Sequence, residues 1–268
     1  MRRAQRNRIN ENTIMTTPWP YPLWIAHRGA GKLAPENTLA AFRLGAQHGY
    51  RMFECDAKLS SDGTVFLLHD ATLDRTTNGV KALGSNASRT GGDHPWSTLA
   101  QLDAGGWHSR AYVGEPLPTL ENLARYCIAN GFFLNIEIKA TPGHDEATGR
   151  AVGDLAARLW QGQAVQPLLS SFKPEALAGA RATAPHIPRA LLLDALWDGW
   201  AAVAQQLGCV AMVCNHALWD AALVAQVRAL GMRTLSYTVN DEWAAQHLMA
   251  LETDGIITDR VDAFSPAT

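Results

Sequence analysis

The sequence predicts an α/β fold in which parallel strands close into a (β/α)8, or TIM, barrel. From residue 120 onward, short apolar runs alternate with amphipathic stretches rich in Ala and Leu, and Gly or Pro marks each return to an apolar run. The apolar runs are continuous, which is typical of parallel strands buried on both faces. An open doubly wound sheet is the alternative, but the Gly-rich phosphate loop that usually follows an early strand of that fold is absent.

The first half of the chain supplies a strand at 23–27, its helix at 39–48, and two further apolar runs at 51–59 and 64–69. Only a turn containing Asp62 and Gly63 separates the last two runs. A parallel crossover needs about a dozen residues or more, so this pair must form an antiparallel hairpin. If Ser61 pairs with Thr64 across the turn, Asp56 falls opposite His69.

The second half supplies the remaining elements. Strands are expected at 132–138, 167–172, 189–193, 209–214, 233–239 and 255–258, and helices at 145–160, 174–182, 197–207, 220–230 and 241–251. When the return arm of the hairpin is counted as an extra strand, eight strands remain, which is the number that closes a TIM barrel. We therefore expect one barrel domain over residues 19–268.

Two segments fall outside this alternation. Residues 71–118 are rich in Gly, Ser, Thr and Asn, and we interpret them as a small inserted cap subdomain after the hairpin, with an apolar kernel of Trp96, Trp107 and Tyr112. Residues 1–18 contain four arginines and no apolar run of the kind that a signal peptide requires. We interpret this second segment as a flexible N-terminal extension.

Composition excludes several classes of protein. The 268 residues are 47% hydrophobic and 18% charged, with a net charge of -2, which excludes a disordered chain and gives no reason to expect a nucleic-acid partner. No run approaches the ~18 consecutive apolar residues that stable membrane insertion requires. The four cysteines lack metal-binding spacing and are interpreted as buried thiols in a reducing compartment. We expect a cytoplasmic enzyme or binding protein for a small molecule, and its oligomeric state stays open.

Polar residues at the ends of the predicted strands are the strongest functional signal, because TIM barrel enzymes carry their active sites at the carboxyl ends of the strands. His27 and Arg28 end the first strand. Glu54 and Asp56 lie two residues apart on the second strand, so their side chains share one face, whereas Cys55 points to the other face.

Glu137 and Lys139 repeat this pattern at the end of the next long strand, where isoleucines occupy the alternate positions. Together with Glu54 and Asp56, Glu137 offers a carboxylate set typical of a hard divalent cation. Arg28 and Lys139 are suitable contacts for phosphate oxygens, since guanidinium and ammonium groups pair well with them. The pattern therefore indicates a metal site beside an anion site.

Two histidines complete the candidate site. His27 and His69 lie beside the predicted metal and anion sites, and they indicate an acid and a base for phosphoryl chemistry. The neighbouring Asp70 is expected to orient a backbone group or a histidine. Asn37 or Thr38, which follow Pro35 and Glu36, is expected to cap the first helix.

The chain also carries a series of short motifs in a fixed order. The motifs are His27-Arg28-Gly29, Pro35-Glu36-Asn37-Thr38, Glu54-Cys55-Asp56, Asp62-Gly63, His69-Asp70, Leu73-Asp74-Arg75-Thr76-Thr77, Pro118-Thr119-Leu120-Glu121, Glu137-Ile138-Lys139 and Asp254-Gly255-Ile256-Ile257-Thr258-Asp259. This series resembles the glycerophosphodiester phosphodiesterase family. The match runs in order from about residue 23 to residue 261, nearly the whole chain, and so many correctly spaced motifs are highly specific.

The resemblance implies a distorted TIM barrel that hydrolyses deacylated phospholipid diesters, such as glycerophosphocholine or glycerophosphoethanolamine, to glycerol 3-phosphate and an alcohol. It implies roles for eight residues: His27 and His69 as the acid/base pair, Arg28 and Lys139 as phosphate contacts, Glu54, Asp56 and Glu137 as ligands of one Mg2+ or Ca2+ ion, and Tyr237 beside the glycerol. At the last position many members carry Trp rather than Tyr.

Other readings of the sequence stay open. A related barrel phosphodiesterase, of the lysophospholipase D or the phosphoinositide phospholipase C type, would share most of these residues. A long exposed apolar rim for acyl chains would favour the former, and Trp96, Trp107 and Trp243 are rim candidates, although they are not contiguous. A non-catalytic protein that binds glycerophosphodiesters is the third reading. The sequence also leaves open which histidine is the acid, and whether water or the glycerol 2-hydroxyl is the nucleophile.

Overall fold

The computed structural model describes residues 19–264 and 266, so the predicted extension at 1–18 lies outside the described residues. Its strands pair in the order β1-β9-β8-β7-β6-β5-β4-β2-β3, and a further pairing of β1 with β2 closes the sheet. Every pairing is parallel except that of β3, which is antiparallel to β2. The predicted closed barrel with one extra strand is confirmed. The strands are β1 (Trp24–Ala26), β2 (Met52–Leu59), β3 (Val65–Leu67), β4 (Phe133–Ile138), β5 (Leu168–Ser171), β6 (Arg189–Leu193), β7 (Ala211–Asn215), β8 (Arg233–Tyr237) and β9 (Gly255–Thr258).

Helices follow the parallel strands and cover the outside of the barrel. Apolar strand residues that point outward pack against these helices, while a second apolar cluster that includes Ile25, Met52 and Leu235 fills the barrel interior. Each helix whose bounds were predicted begins and ends within three residues of them, whereas no bounds were predicted for α2, α3 and α4. The helices along the barrel are α1 (Leu39–Gln47), α4 (Leu120–Asn130), α5 (Asp145–Leu159), α6 (Pro174–Thr183), α7 (Trp200–Gln206), α8 (Ala221–Ala229) and α9 (Glu242–Ala250); α2 (Gly79–Leu83) and α3 (Trp96–Leu99) lie between β3 and α4.

The hairpin formed by β2 and β3 has a register shifted by one residue from the predicted one. Leu59 pairs with Val65, and farther along, the amide of Leu68 donates to the carbonyl of Asp56 at 3.0 Å. The predicted cross-strand position of His69, directly opposite Asp56, is therefore wrong, because Leu68 occupies that position in the hairpin. His69 lies two residues beyond the end of β3, where the hairpin passes the rim of the barrel.

The turn of this hairpin explains the shift. Three residues separate Ser60 from Thr64, and the amide of Ser60 donates to the carbonyl of Thr64 at 2.9 Å. The amide of Gly63 donates back to Ser60 at 3.1 Å, with a left-handed φ of 87° at Gly63. A three-residue turn that ends in a left-handed glycine is a common hairpin loop, whereas the predicted pairing of Ser61 with Thr64 requires a two-residue turn.

Residues 71–118 carry a small apolar cluster of their own, packed on the outer end of the hairpin. Its composition differs from the predicted kernel: Trp96 only packs against the cluster, Trp107 is 40% exposed, and Tyr112 packs against the main core. The hairpin contributes Phe66 and Leu68 to this cluster, and aliphatic side chains of residues 71–118 pack against them. Its buried members are Phe66, Leu68, Leu73, Leu99, Leu102, Ala104 and Leu117.

All four cysteines are buried and free, as predicted. Cys55 and Cys127 belong to the layer between strands and helices, so the expected orientation of Cys55 away from Glu54 and Asp56 is confirmed. Among residues 19–264, no helix combines the length and apolar character needed to cross a membrane.

Candidate active site

The carboxyl ends of β1, β2 and β4 bring the predicted site residues together at one end of the barrel. His27 follows β1 directly, Glu54 and Asp56 lie within β2, and Glu137 is the fifth residue of the six-residue β4. The parallel ladder between β2 and β4 sets Asp56 beside Glu137. Lys139, whose amide donates to the carbonyl of Ala57 at 2.9 Å, extends the same ladder by one step.

Glu54, Asp56 and Glu137 form a carboxylate cluster, in which one oxygen of each residue lies within 4.8 Å of those of the other two. Glu54 and Asp56 are 3% and 1% exposed, respectively. Glu54 Oε1 and Asp56 Oδ1 are buried without a hydrogen-bond partner among the described residues. Buried oxygen atoms of this kind are costly unless a cation or a proton satisfies them. The carboxylate cluster therefore fits a divalent cation.

The pKa values within the carboxylate cluster move in opposite directions. Burial, and then the charges of Asp56 and Glu137, raise the pKa of Glu54 well above its usual value. Burial and Asp56 likewise raise the pKa of Glu137, although Lys139 opposes this. Such shifts show that these carboxylates do not readily ionise together without a positive charge between them.

Asp56 is the member of the cluster that stays ionised. The side-chain amide of Asn37 makes two hydrogen bonds with Asp56: its Nδ2 donates to Asp56 Oδ2 at 2.7 Å, and its Oδ1 accepts from the Asp56 amide at 3.0 Å. Burial opposes ionisation, but Arg28, His69 and the hydrogen bond from Asn37 lower the pKa of Asp56 below its usual value. Asn37 therefore does not cap α1; the cap is Thr38, whose hydroxyl accepts from the amide of Ala41 at 3.3 Å.

Arg28 connects the carboxylate cluster to the loop that precedes α1. Its amide donates to Glu54 Oε2 at 3.0 Å, its Nη1 donates to Glu36 Oε1 at 2.9 Å, and its Nε lies 3.2 Å from Asp56 Oδ2. Burial disfavours the guanidinium charge, but these three carboxylates outweigh burial and raise its pKa. Arg28 is therefore a fixed cation at the edge of the carboxylate cluster.

Lys139 is the second cation at the site. Its Nζ lies 2.8 Å from Glu137 Oε1 and 5.4 Å from the centre of the Phe172 ring. Burial disfavours its charge, but Glu137 and Asp56 raise its pKa above the usual value. Beneath it, Lys58 Nζ donates to the carbonyl oxygen of Lys139 at 2.9 Å, and burial lowers the pKa of Lys58 to about 8.

His27 is held by a carboxylate from the other end of the chain. Its Nδ1 lies 2.7 Å from Asp259 Oδ1, and its Nε2 lies 3.8 Å from Glu54 Oε2. Asn240 fixes Asp259 by donating from Nδ2 to Oδ2 at 3.0 Å and accepting from the Asp259 amide at 3.0 Å. Burial opposes ionisation of Asp259, but the hydrogen bonds from His27 and Asn240 lower its pKa to about 2. Asp259 is thus a carboxylate, which can only accept, so Nδ1 of His27 carries the proton.

His69 has a similar arrangement on the other side of the site. Its Nδ1 lies 2.8 Å from Asp70 Oδ1, in agreement with the expectation that Asp70 orients a histidine. Burial lowers the pKa of His69, and the charges of Arg28 and Lys139 add to this, while Asp56 and Asp70 oppose it. Both predicted histidines therefore present Nε2 to the site and Nδ1 to a carboxylate.

Two cavities meet at Glu137 and Phe172, which line both of them. A cleft of about 270 Å³ is lined on one side by His69, Lys58 and Lys139. A smaller pocket is lined by His27, Glu54, Asn135, Ser170, Leu192, Tyr237 and Ile257. The two histidines thus reach the carboxylate cluster from different cavities.

Tyr237 lies at the edge of the smaller pocket. Its ring meets that of Phe172 edge to face, with centroids 5.6 Å apart, and its hydroxyl donates to Asp194 Oδ1 over a long 3.4 Å. Burial raises the pKa of Tyr237, so it stays a neutral phenol.

Four residues of the site were not predicted from the sequence. Asp259 directly follows β9, and Lys58 continues the two-residue spacing of Glu54 and Asp56, so the rule that strand-end polar residues face the site could have identified both. Asn37 and Asn240 gave no such signal, because each lies in a loop and contributes an amide that ordinary turns also use.

The barrel and its site define an enzyme in which a buried carboxylate cluster lies between cationic side chains and two carboxylate-paired histidines. A comparison of the sequence with family models matches the glycerophosphoryl diester phosphodiesterase family over residues 27–263. The chain belongs to this family, and the predicted resemblance is confirmed.

Individual relatives extend over nearly the whole chain. YhdW of Bacillus subtilis is 32% identical over 247 residues, which cover 89% of this chain and 94% of YhdW. The glycerophosphodiester phosphodiesterase of Caldanaerobacter subterraneus subsp. tengcongensis is 30% identical over 242 residues, covering 88% of this chain and 93% of that protein. The prediction that the chain is an enzyme of this family is confirmed.

Solved structures agree with the fold. An Oleispira antarctica phosphodiesterase, determined in complex with its product sn-glycerol-3-phosphate, superposes with a TM-score of 0.79 at 33% identity, covering 89% of this chain and 93% of that chain. A glycerophosphodiester phosphodiesterase from Agrobacterium tumefaciens superposes with a TM-score of 0.72 at 25% identity, covering 91% and 99%.

Proposed function

We propose that this protein hydrolyses glycerophosphodiesters, such as glycerophosphocholine or glycerophosphoethanolamine, to sn-glycerol 3-phosphate and an alcohol. The observation that carries the proposal is the carboxylate cluster, set between two fixed cations and two histidines that are each paired with a carboxylate. The product bound to the Oleispira antarctica relative supports glycerol 3-phosphate as the common product.

The carboxylate cluster would hold one divalent cation, Mg2+ or Ca2+. When bound, the ion supplies positive charge that neutralises the phosphate oxygens as negative charge grows on them. Its binding would also satisfy Glu54 Oε1 and Asp56 Oδ1 and let the carboxylates ionise together.

Arg28 and Lys139 would contact the remaining phosphate oxygens. Both are held close to carboxylates that keep them charged, and both reach the edge of the carboxylate cluster. Preorganised cations of this kind stabilise a more highly charged transition state without reorganising during the reaction. By fixing the phosphate at two points, the two side chains would also orient the diester for attack opposite its leaving oxygen.

His27 and His69 would transfer the two protons of the reaction. One imidazole would accept a proton from the nucleophile, while the other, as imidazolium, would donate a proton to the leaving alkoxide as its bond to phosphorus breaks. Attack by water gives glycerol 3-phosphate directly, whereas attack by the glycerol 2-hydroxyl gives a cyclic phosphate, which water then opens with the two histidines in exchanged roles. Each transfer contributes about 10²–10⁴-fold to the rate. Because the two rings line different cavities, they can act on opposite sides of one phosphate.

The two cavities would separate the two halves of the substrate. Tyr237 and Phe172 offer an apolar edge against which the carbon backbone of glycerol can pack. The larger cleft beside His69 and Lys139 would then receive the alcohol, and residues 71–118, from which Ala71 lines this cleft, would cover that side of the site. The absence of a nucleic-acid partner and the cytoplasmic location remain predictions.

The direct test measures the products that the full chain releases: sn-glycerol 3-phosphate from glycerophosphocholine, glycerophosphoethanolamine and glycerophosphoinositol, and choline with lysophosphatidic acid from lysophosphatidylcholine. We expect turnover of the deacylated diesters and little turnover of the lysophospholipid. Preferred turnover of lysophosphatidylcholine would indicate a lysophospholipase D instead. Saturable binding of the diesters without release of any product would identify a binding protein and overturn the proposal.

A further inference from the structure

Arg75 lies between two carboxylates that support different parts of the site. Its Nε and Nη2 donate to Asp70 Oδ2 and Oδ1 at 2.7 and 3.0 Å. Its Nη1 and Nη2 donate to Glu36 Oε2 and Oε1 at 2.7 and 2.8 Å. Both edges of the guanidinium are thus used in two-point pairs, a geometry that the single ammonium of a lysine cannot reproduce.

Each of these carboxylates has one further partner, and that partner faces the substrate site. Asp70 Oδ1 pairs with Nδ1 of His69 at 2.8 Å, and Glu36 Oε1 accepts from Nη1 of Arg28 at 2.9 Å. A continuous path of hydrogen bonds therefore runs from His69 through Arg75 to Arg28. One side chain sets the position of a proton-transfer group and of a phosphate contact.

The backbone around Arg75 is itself firmly held. The preceding Leu73 is 1% exposed, and its amide donates to the carbonyl of Arg89 at 2.8 Å. The hydroxyl of Thr77 donates to the carbonyl of Leu73. The exposed ion pair of Arg89 with Asp74 lies on the surface of this segment and does not take part in its anchoring. Arg75 thus projects toward the barrel from a segment anchored in the apolar cluster of residues 71–118.

We propose that Arg75 is a positioning residue for this reaction, which aligns His69 and Arg28 with each other across the mouth of the barrel. The proposal rests on the proposed function for the roles of His69 and Arg28. It also gives residues 71–118 a task beyond covering the site, because the segment supplies the connection between the two groups. Within the part of the chain that the structure describes, the side-chain hydrogen bonds of Arg75 go to the carboxylates of Asp70 and Glu36, and it acts through them.

Loss of Arg75 has a defined physical consequence. Its hydrogen bonds hold the pKa of Asp70 below the usual range, and they help to lower that of Glu36. Without Arg75, the remaining hydrogen-bond partner of Glu36 is Arg28, and that of Asp70 is His69. Each carboxylate can then change its position, and the partner that it holds moves away from the site with it. Misplacement of a catalytic group by about 1 Å can cost about 10²-fold in rate.

The test compares Arg75→Ala and Arg75→Lys with Arg89→Ala, which removes an arginine from the same segment and leaves the two-carboxylate bridge intact. We expect kcat to fall about 10- to 100-fold in Arg75→Ala, with a smaller change in KM, as for other residues that orient an active-site group. Arg75→Lys should recover only part of this loss. Added methylguanidinium should raise the activity of Arg75→Ala and leave that of His69→Ala unchanged. Arg89→Ala should retain kcat.

A second measurement keeps this inference separate from the proposed function. Long-range proton–nitrogen NMR spectra of the imidazole rings report the environment of Nδ1 in His69 whether or not the protein turns over a substrate. We expect the His69 signals to move in Arg75→Ala and to stay in place in Arg89→Ala. Failure of the wild-type chain to release glycerol 3-phosphate would refute the proposed function, while the NMR comparison would still test the positioning.

Two results would overturn the inference. The first is an active wild-type enzyme whose Arg75→Ala variant keeps both kcat and the His69 signals. The second is an Arg75→Lys variant with the wild-type melting temperature, the wild-type kcat and the wild-type His69 signals, which would refute the two-point bridge. This second comparison tests the inference even where Arg75→Ala does not fold.

Discussion

Nδ1 of His27 lies 2.7 Å from Oδ1 of Asp259, a residue 232 positions later in the chain. The pairing of β1 with β9 makes this contact, because His27 and Asp259 each follow directly on their strand. It fixes the imidazole with Nε2 toward the carboxylate cluster. The tautomer of His27 is therefore set by barrel closure and by the two hydrogen bonds that join Asp259 to Asn240.

Asp259→Asn should lower kcat by about 10²–10⁴-fold with little effect on the fold, because an amide can donate to the ring and favour the wrong tautomer. The measurement is steady-state kinetics on glycerophosphoethanolamine. Asp241→Asn is the matched control, since Asp241 lies at the start of α9 and makes no side-chain capping bond. Equal kcat in Asp259→Asn and Asp241→Asn would remove Asp259 from its orienting role.

His69→Ala should reduce kcat by at least about 10²-fold, because it removes one of the two imidazoles proposed to transfer the protons of the reaction. His186→Ala provides the comparison, as this exposed histidine lies near the amino end of β6, at the other end of the barrel. Thermal melts should show both variants folded. Turnover of His69→Ala at the wild-type rate would exclude His69 from the chemistry.

Glu54→Gln should stabilise the metal-free protein near neutral pH. The pKa of Glu54 is raised by folding, so the folded state binds more protons than the unfolded state between the usual value and the raised one. The contribution of Glu54 to the free energy of unfolding is therefore lost as pH rises through that interval. An isosteric amide removes this cost, and we expect a gain of about 1 kcal/mol, which is about 2–4 °C in Tm for a chain of this size.

The same variant separates stability from metal binding. Mg2+ or Ca2+ should raise the Tm of the wild-type protein, because an ion that binds only the folded state stabilises it. The increase should be largely absent in Glu54→Gln, and in wild type it should grow with pH as the carboxylates ionise. Differential scanning calorimetry at several pH values measures both effects. An equal metal-induced shift in wild type and variant would show that Glu54 does not hold the ion.

Tyr237→Ala should raise KM for the diester more than it lowers kcat, since the ring offers packing area rather than a transferable proton. Tyr237→Phe should behave nearly as wild type, because the hydroxyl makes only a long 3.4 Å contact to Asp194. Initial rates over a range of glycerophosphoethanolamine concentrations measure the two constants. A large fall in kcat for Tyr237→Phe would instead give the phenol a direct part in the reaction.

The residues that could be predicted from the sequence are those whose position follows from strand periodicity. The spacing of Glu54 and Asp56, and of Glu137 and Lys139, is enough to set each pair on one face, and parallel pairing in register brings the pairs together. The closed barrel follows in the same way from the number of apolar runs. Both features depend on the spacing of residue types within short segments, and such spacing can be measured in a single sequence.

Features that depend on turn geometry or on distant contacts were harder to predict. The hairpin register differed by one residue because the turn before Thr64 has three residues, and composition does not distinguish a two-residue turn from a three-residue turn. The partner of His27 lies at the far end of the chain, and Arg75 comes from a segment without regular periodicity. Such contacts form between residues that are far apart in the sequence, so the local preferences of each segment do not predict them.

Metal dependence is the most direct test of the proposed function, because each proposed role places its residue around the carboxylate cluster. The measurement is the rate of sn-glycerol 3-phosphate release by the wild-type chain before chelation, after exhaustive treatment with EDTA, and after Mg2+ or Ca2+ is added back. We expect chelation to abolish turnover and one of the two ions to restore it. Full activity after chelation, in protein shown by elemental analysis to be free of metal, would refute the proposed metal-dependent reaction.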